Sequence, residues 1–155
     1  MKNTFLLSIF IFCSFYLSSA QRITQANVIF VIDEELALGS ISNVRLTRSN
    51  GEKLEMGYYP GKLFFETDKS NQFDFKSDSL FLAFDYNVYL KNKHVVYNYK
   101  FLASEFWLKQ DYLVVKVYNL DKRKYRKLYE PLDVKRQYTL ELIYPGGQIM
   151  KIKPK

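Results

Sequence analysis

Apolar and polar side chains alternate with a period of two along most of this chain, a pattern that predicts strands rather than helices. The cleanest example is residues 80–88, where Leu80, Leu82, Phe84, Tyr86 and Val88 alternate with Phe81, Ala83, Asp85 and Asn87. Its length predicts a central strand. Lys91, Asn92 and Lys93 make a polar turn, after which Val95, Tyr97, Tyr99 and Phe101 share a face opposite His94, Val96, Asn98 and Lys100. Further on, Tyr112 to Tyr118 form a β-branched and aromatic run, and Tyr138, Leu140, Leu142 and Tyr144 alternate with Gln137, Thr139, Glu141 and Ile143. Pro145 and Gly146 predict a type II turn, with Gly146 at the position that needs positive φ. Beyond it, Met150 and Ile152 alternate with Lys151 and Lys153, completing a hairpin with an apolar and a cationic face.

The first half reads the same way. Residues 27–32 are apolar on both faces, which suits a strand covered on two sides or one at a sheet junction. Asp33, Glu34 and Glu35 follow as an acidic cluster. Three carboxylates at that spacing are too few oxygens for a calcium loop, so a solvated loop is the preferred reading over a cation site. Val44 and Leu46 point inward against Arg45 and Thr47 in a second strand, which the Asn50–Gly51 pair ends in a hairpin turn. Gly57, Tyr58, Tyr59, Pro60 and Gly61 make an aromatic turn. Its tyrosines are better suited to cover one end of a sheet packing than to stack on sugars, although both uses are open to them. Residues 62–66 add a short strand. Only residues 103–110 lack alternation; Ser104 is placed to cap a short helix there.

Thr67, Asp68, Asn71, Phe73 and Phe75 carry the most specific local pattern. Thr67 and Asp68 can bond nearby amides in a turn, Asn71 suits a left-handed backbone, and Phe73 and Phe75 put two rings on one face of a strand. This stretch resembles the T-D-x-x-G-x-F-x-F signature of carboxypeptidase-regulatory-like and transthyretin-like domains. The earlier Gly39, Ser40, Val44 and Leu46 are similar to that family's preceding strand. The resemblance implies a scaffold and no particular reaction. With the periodicity, it leads to an all-β, single two-sheet antiparallel β-sandwich of about seven to nine strands.

Composition adds a compartment. Lys2, the apolar run at 5–17 and the small residues Ser18, Ser19 and Ala20 predict a signal peptide over residues 1–20, with an uncleaved anchor as the lesser reading. The domain then spans 21–155 and is exported to the periplasm, the cell surface or the medium. No second apolar run is long enough to cross a membrane. Cys13 is the single cysteine. Its loss with the leader removes disulfides and thiolate chemistry, so the domain must be held by its core. The abundance of Lys, Phe, Tyr and Asn is similar to secreted proteins of Bacteroidetes-type bacteria.

Candidate chemistry is thin. The formal charge is +7, one unit less without Lys2, and a basic exported protein favours acidic glycans or anionic lipid over nucleic acid. Lys122, Arg123, Lys124, Tyr125, Arg126, Lys127 and Tyr129 form the strongest feature, read as a basic hairpin. Its cations can dock phosphates or carboxylates while the tyrosines stack on rings, or they can protect a sheet edge, the preferred reading. Lys135, Arg136, Lys151, Lys153 and Lys155 extend that patch if the fold gathers them. His94, the single histidine, has no nucleophile or orienting acid signalled beside it and reads as a surface residue. Trp107 fits the core or a lid better than a ligand platform. Hydrolysis could rest only on carboxylate pairs such as Asp85 with Glu105 or Asp111. The expectation is a non-enzymatic domain without cofactor or metal. It has a structural or protein-interaction role in the cell envelope, with an acidic glycan or lipid headgroup as the alternative partner.

Overall fold

The structure, a computed structural model, describes residues 25–65, 70, 72–76 and 80–153. The chain runs through β1 (Gln25–Ala26), β2 (Val28–Ile32), β3 (Glu35–Leu36), β4 (Ile41–Arg48), β5 (Lys53–Tyr59), β6 (Lys62–Phe65), β7 (Leu80–Leu90) and β8 (Lys93–Ala103). It continues through α1 (Glu105–Leu108), β9 (Leu113–Asn119), α2 (Arg123–Leu128), β10 (Tyr138–Tyr144) and β11 (Gly147–Met150). One sheet has the order β1-β6-β5-β4-β7-β8 and the other β11-β10-β9-β2-β3. The side chains that alternate inward from both sheets form one core. Phe30 of β2 meets Phe84 of β7 with ring centroids 4.3 Å apart, and Tyr99 of β8 meets Tyr138 of β10 at 4.9 Å, edge to face. The arrangement is all-β and sandwich-like.

Three details depart from the expected sandwich. There are eleven strands among the described residues, and the two-residue strands β1 and β3 flank β2, which holds the apolar run at 27–32. Asn27 is where the chain changes sheets: β1 pairs with β6 and β2 with β9. Its carbonyl accepts from the Leu113 amide, and its Nδ2 donates to the Asp111 carbonyl, both at 2.8 Å. The strand is at a sheet junction, one of the two readings its apolar faces allowed. Next, the sheets are not wholly antiparallel, since β2 and β9 run parallel from Val28↔Leu113 to Ile32↔Val117. Finally, β7 lies between β4 and β8, one strand from the edge.

Turns follow local chemistry. Gly51, Gly61 and Gly146 all have positive φ (87°, 94° and 78°). Tyr58 and Tyr59 belong to β5, so the expected aromatic turn contracts to Pro60 and Gly61. Tyr58 packs edge-on against Phe30 at 5.0 Å, while Tyr59 is exposed. Phe73 and Phe75 sit in a turn segment rather than a strand; their rings are 5.2 Å apart and Phe75 also meets Phe65 at 5.7 Å. The Thr67, Asp68 and Asn71 pattern and the leader at 1–20 lie outside the described residues. The short helix expected at 103–110 is α1, with the Ser104 Oγ accepting from the Trp107 amide at 3.3 Å.

Candidate functional site

The basic segment is a helix, not a hairpin. Lys, Arg and Leu are good helix formers, and the segment has an apolar neighbour to lie on. That neighbour is the outward face of the five-stranded sheet, where Tyr118 and Leu120 are buried. Tyr125 of α2 is 2% exposed and stands 5.0 Å from the Tyr118 ring, and Tyr129 stacks on Tyr118 at 4.7 Å. Tyr125 is thus closed to a ligand from the solvent, and Tyr129 is partly buried with one face on Tyr118. Tyr118 donates to Glu141 at 2.5 Å, and Gln148 Nε2 also donates to that carboxylate at 2.6 Å. Burial and then the Glu141 carboxylate push the Tyr118 phenol well above its usual range. Because α2 is a helix, its cations do not line an edge strand of their own.

Two of those cations are tied to the acidic turn between β2 and β3. Asp33 and Glu34 have φ of 53° and 74°, the positive values of a two-residue hairpin turn. Asp33 accepts from the backbone N–H and the Nδ2 of Asn119, each at 2.8 Å, and pairs with Lys122 at 2.9 Å. Lys124 pairs with Glu34 at 2.7 Å. These bonds to carboxylates raise both lysines, and the Lys124 bond lowers Glu34. Asp33 is therefore an anchor between β2, β9 and α2 rather than part of a solvated loop. Arg123, Arg126 and Lys127 are exposed and make no ion pair within the described residues. Lys153 joins them, its Nζ bonding the Arg126 carbonyl at 2.8 Å, and Lys151 Nζ bonds the Leu132 carbonyl at 3.0 Å. Arg136 lies elsewhere, held by Asp133 at 2.7 Å and over the Tyr138 ring.

A second site, unsignalled by any motif, runs along the edge of the six-stranded sheet. Lys100 of β8 turns its amide and carbonyl away from β7, and the Tyr138 hydroxyl binds both, accepting from N–H and donating to C=O at 2.8 Å each. Backbone direction alternates along a strand, so His94, Val96 and Asn98 turn theirs outward as well. Asn87 agrees: it lies opposite Val96, yet its amide donates the other way, to the Ser40 carbonyl at 2.8 Å. Among the described residues nothing bonds the outward backbone groups of His94, Val96 and Asn98. β3 and β1, edges too, are two residues long, whereas β8 has eleven.

Under this edge the two sheets part into a cleft of about 450 Å³ lined by Tyr97, Tyr99, Asn119, Lys135, Arg136 and Tyr138. A smaller hollow of about 260 Å³ continues it past Tyr97 to Tyr86, Val88 and Leu90. Tyr97 stands 6.4 Å from both Tyr86 and Tyr99, nearly parallel to the latter. Tyr99 closes the floor by donating to Asn119 Oδ1 at 2.9 Å, and burial raises its phenol far above the usual range. The cleft has an aromatic floor, amide walls and cations at its mouth. Its signal in the sequence is only the tyrosine spacing 97, 99 and 138.

His94 is exposed, with its Nε2 3.1 Å from Asn87 Oδ1 and its ring stacked on Tyr89 at 5.1 Å. Trp107 is half-buried against the core. Asp85 is held by Asn43 Nδ2 and Asn98 Nδ2, both at 2.6 Å, and Glu105 pairs with Lys109 at 2.7 Å. Asp85 and Glu105 thus have separate partners. No described cluster of three His, Cys, Asp or Glu residues is placed to hold a metal ion. No helix among the described residues is long and apolar enough to cross a membrane. Comparison with protein families, curated proteins and solved structures returns no match.

Proposed function

We propose that this chain is an exported, non-enzymatic β-sandwich domain with a structural or protein-interaction role in a bacterial cell envelope. The signal-like segment at 1–20 and the resemblance of residues 67–75 to transthyretin-like domains favour export and a scaffold role. One observation carries the interaction reading: β8 is a long edge whose backbone groups from His94 to Asn98 are open, beside an aromatic cleft. Open strand edges are templates for pairing, and proteins that do not use them cover or shorten them. Here Tyr138 caps only the Lys100 position.

A second reading is favoured by the exposed Arg123, Arg126 and Lys127, with Lys153 beside them. These cations form a surface for an acidic glycan or an anionic lipid headgroup. It engages without the tyrosines and with fewer cations than the sequence suggested. Photo-crosslinking separates the two in the native host, with a photoreactive side chain at Val96 in one strain and at Arg126 in another. Adducts of one discrete protein from position 96 support the first reading. Polysaccharide or lipid adducts confined to position 126 move the function to the helix, and adducts at neither position overturn both.

A further inference from the structure

We infer that the β8 edge takes an extended acidic segment of a partner protein, added as a further strand opposite His94, Val96 and Asn98; this rests on the protein-interaction reading above. The open ladder is short. The uninterrupted run from His94 to Asn98 is bounded by the Tyr138 hydroxyl on Lys100 and by the turn at Lys91 and Asn92. A segment of about five residues spans that length. Side chains alternate along an added strand, so one row enters the cleft over Tyr97 and Tyr99, and the other lies beside Val96, which is 43% exposed. The inward row must therefore be apolar or aromatic.

Charge chooses the rest of the occupant. Lys91 and Lys93 stand exposed at one end of the ladder. Lys100, Lys135 and Arg136 stand at the other, at the mouth of the cleft. Arg136 is already paired with Asp133 at 2.7 Å and Asp121 lines the same cleft, so Lys100 and Lys135 carry the charge at that end. Asp85, on the outer face, is 9% exposed and held by two amides. Acidic residues at both ends of the added segment match these cations. A second copy of this chain fits less well. Antiparallel pairing centred on Val96 would set its Asn92 opposite Lys100, bringing its Lys91 and Lys93 toward Lys100, Lys135 and Arg136. Like charges at that spacing oppose the pairing.

The test uses the full-length purified protein and the labelled peptide acetyl-Glu-Val-Thr-Val-Thr-Val-Glu-amide, followed by fluorescence anisotropy. Saturable binding is expected, weakened about tenfold when the terminal Glu residues are replaced by Lys, with the difference shrinking as salt rises. Val96→Pro removes an outward amide without touching the β7 ladder, and it should abolish binding with little change in melting temperature. Lys93→Glu with Lys135→Glu is a second variant that leaves the backbone intact, and it should reverse the preference between the two peptides. Unchanged binding by Val96→Pro in a folded variant, or no saturable binding by wild type, overturns the inference. So does sedimentation showing a dimer of the protein alone that Val96→Pro dissolves, because the occupant is then a second copy. A discrete crosslink from Val96 alongside a failed peptide test leaves the interaction reading standing and rejects only the acidic strand.

Discussion

Replacing Asp33 tests whether the acidic turn is an anchor. Asp33→Ala removes the acceptor for two groups of Asn119, each at 2.8 Å, and for Lys122 at 2.9 Å. Asn119 is only 8% exposed, so its amide hydrogens lose a charged acceptor in a place that water enters poorly. Hydrogen bonds to a charged group contribute about 1.5–3 kcal/mol each, and two sharing one carboxylate are not additive, so about 2–3 kcal/mol is expected from this pair. The Lys122 side chain is half exposed and adds less than about 1 kcal/mol. Asp33 also has φ of 53°, where alanine lacks the local side-chain bonding that favours Asp, at a cost of about 1 kcal/mol. The total is about 3–5 kcal/mol. Asp33→Gly relieves the backbone strain and should be milder than Ala by about 0.5–1 kcal/mol, the gain being trimmed by a freer unfolded chain. Asp33→Asn keeps the turn preference and one acceptor, and should lose about 1–2 kcal/mol. Urea titration followed by the fluorescence of Trp107, the single tryptophan, measures all three, with unchanged slopes confirming a common unfolded state. A loss below about 1 kcal/mol for Asp33→Ala, with Gly and Asn indistinguishable from it, would refute the anchor and return the turn to a solvated loop.

Tyr138→Phe deletes a hydroxyl that serves Lys100 N–H and C=O and also accepts from Arg136 at 3.0 Å. It should cost about 1–2 kcal/mol in urea titration, since water can reach the freed edge, and it should raise light scattering as the open ladder lengthens. Alkali should unfold the protein from about pH 10 upward: Tyr99 and Tyr118 are held protonated by burial, so the unfolded chain releases protons first. Folding stability then falls by up to about 1.4 kcal/mol per pH unit for each such tyrosine. Circular dichroism read beside phenolate absorbance should show the last of the phenolate signal appearing only as the fold is lost, and ionisation of all thirteen tyrosines in a still-folded protein contradicts the burial. Intact mass of protein from the native host should correspond to a chain beginning at Gln21; a mass retaining residues 1–20 overturns the export reading.

Strand content and most turns were legible in the residues. Leu80 to Phe101 alternate so regularly that β7, its turn and β8 follow from side-chain direction alone, and Gly51 and Gly146 stand where positive φ is required. Periodicity also placed His94 on the exposed face, and its lapse at 103–110 left Ser104 to cap a helix. The basic segment was misread because its charge dominates its pattern. Its one buried residue, Tyr125, becomes an anchor only where Tyr118 and Leu120 offer a surface, and a short helix draws its stability from such packing rather than from propensity. Asp33 likewise reads as solvated until the fold brings Asn119, 86 positions away, against it.

What the sequence determined by itself was local: strand periodicity, turn chemistry, cationic balance and a leader-like start, each set within a few residues. The tertiary structure decided which strands are neighbours, including the parallel pairing of β2 with β9 and the switch of sheets at Asn27. It also decided which edge stays open. That β8 ends a sheet, with Tyr138 capping Lys100 and leaving His94, Val96 and Asn98 open, depends on contacts nearly forty residues apart. No local pattern records such contacts, because the period of a strand reports the face its side chains take and not the partner its backbone finds.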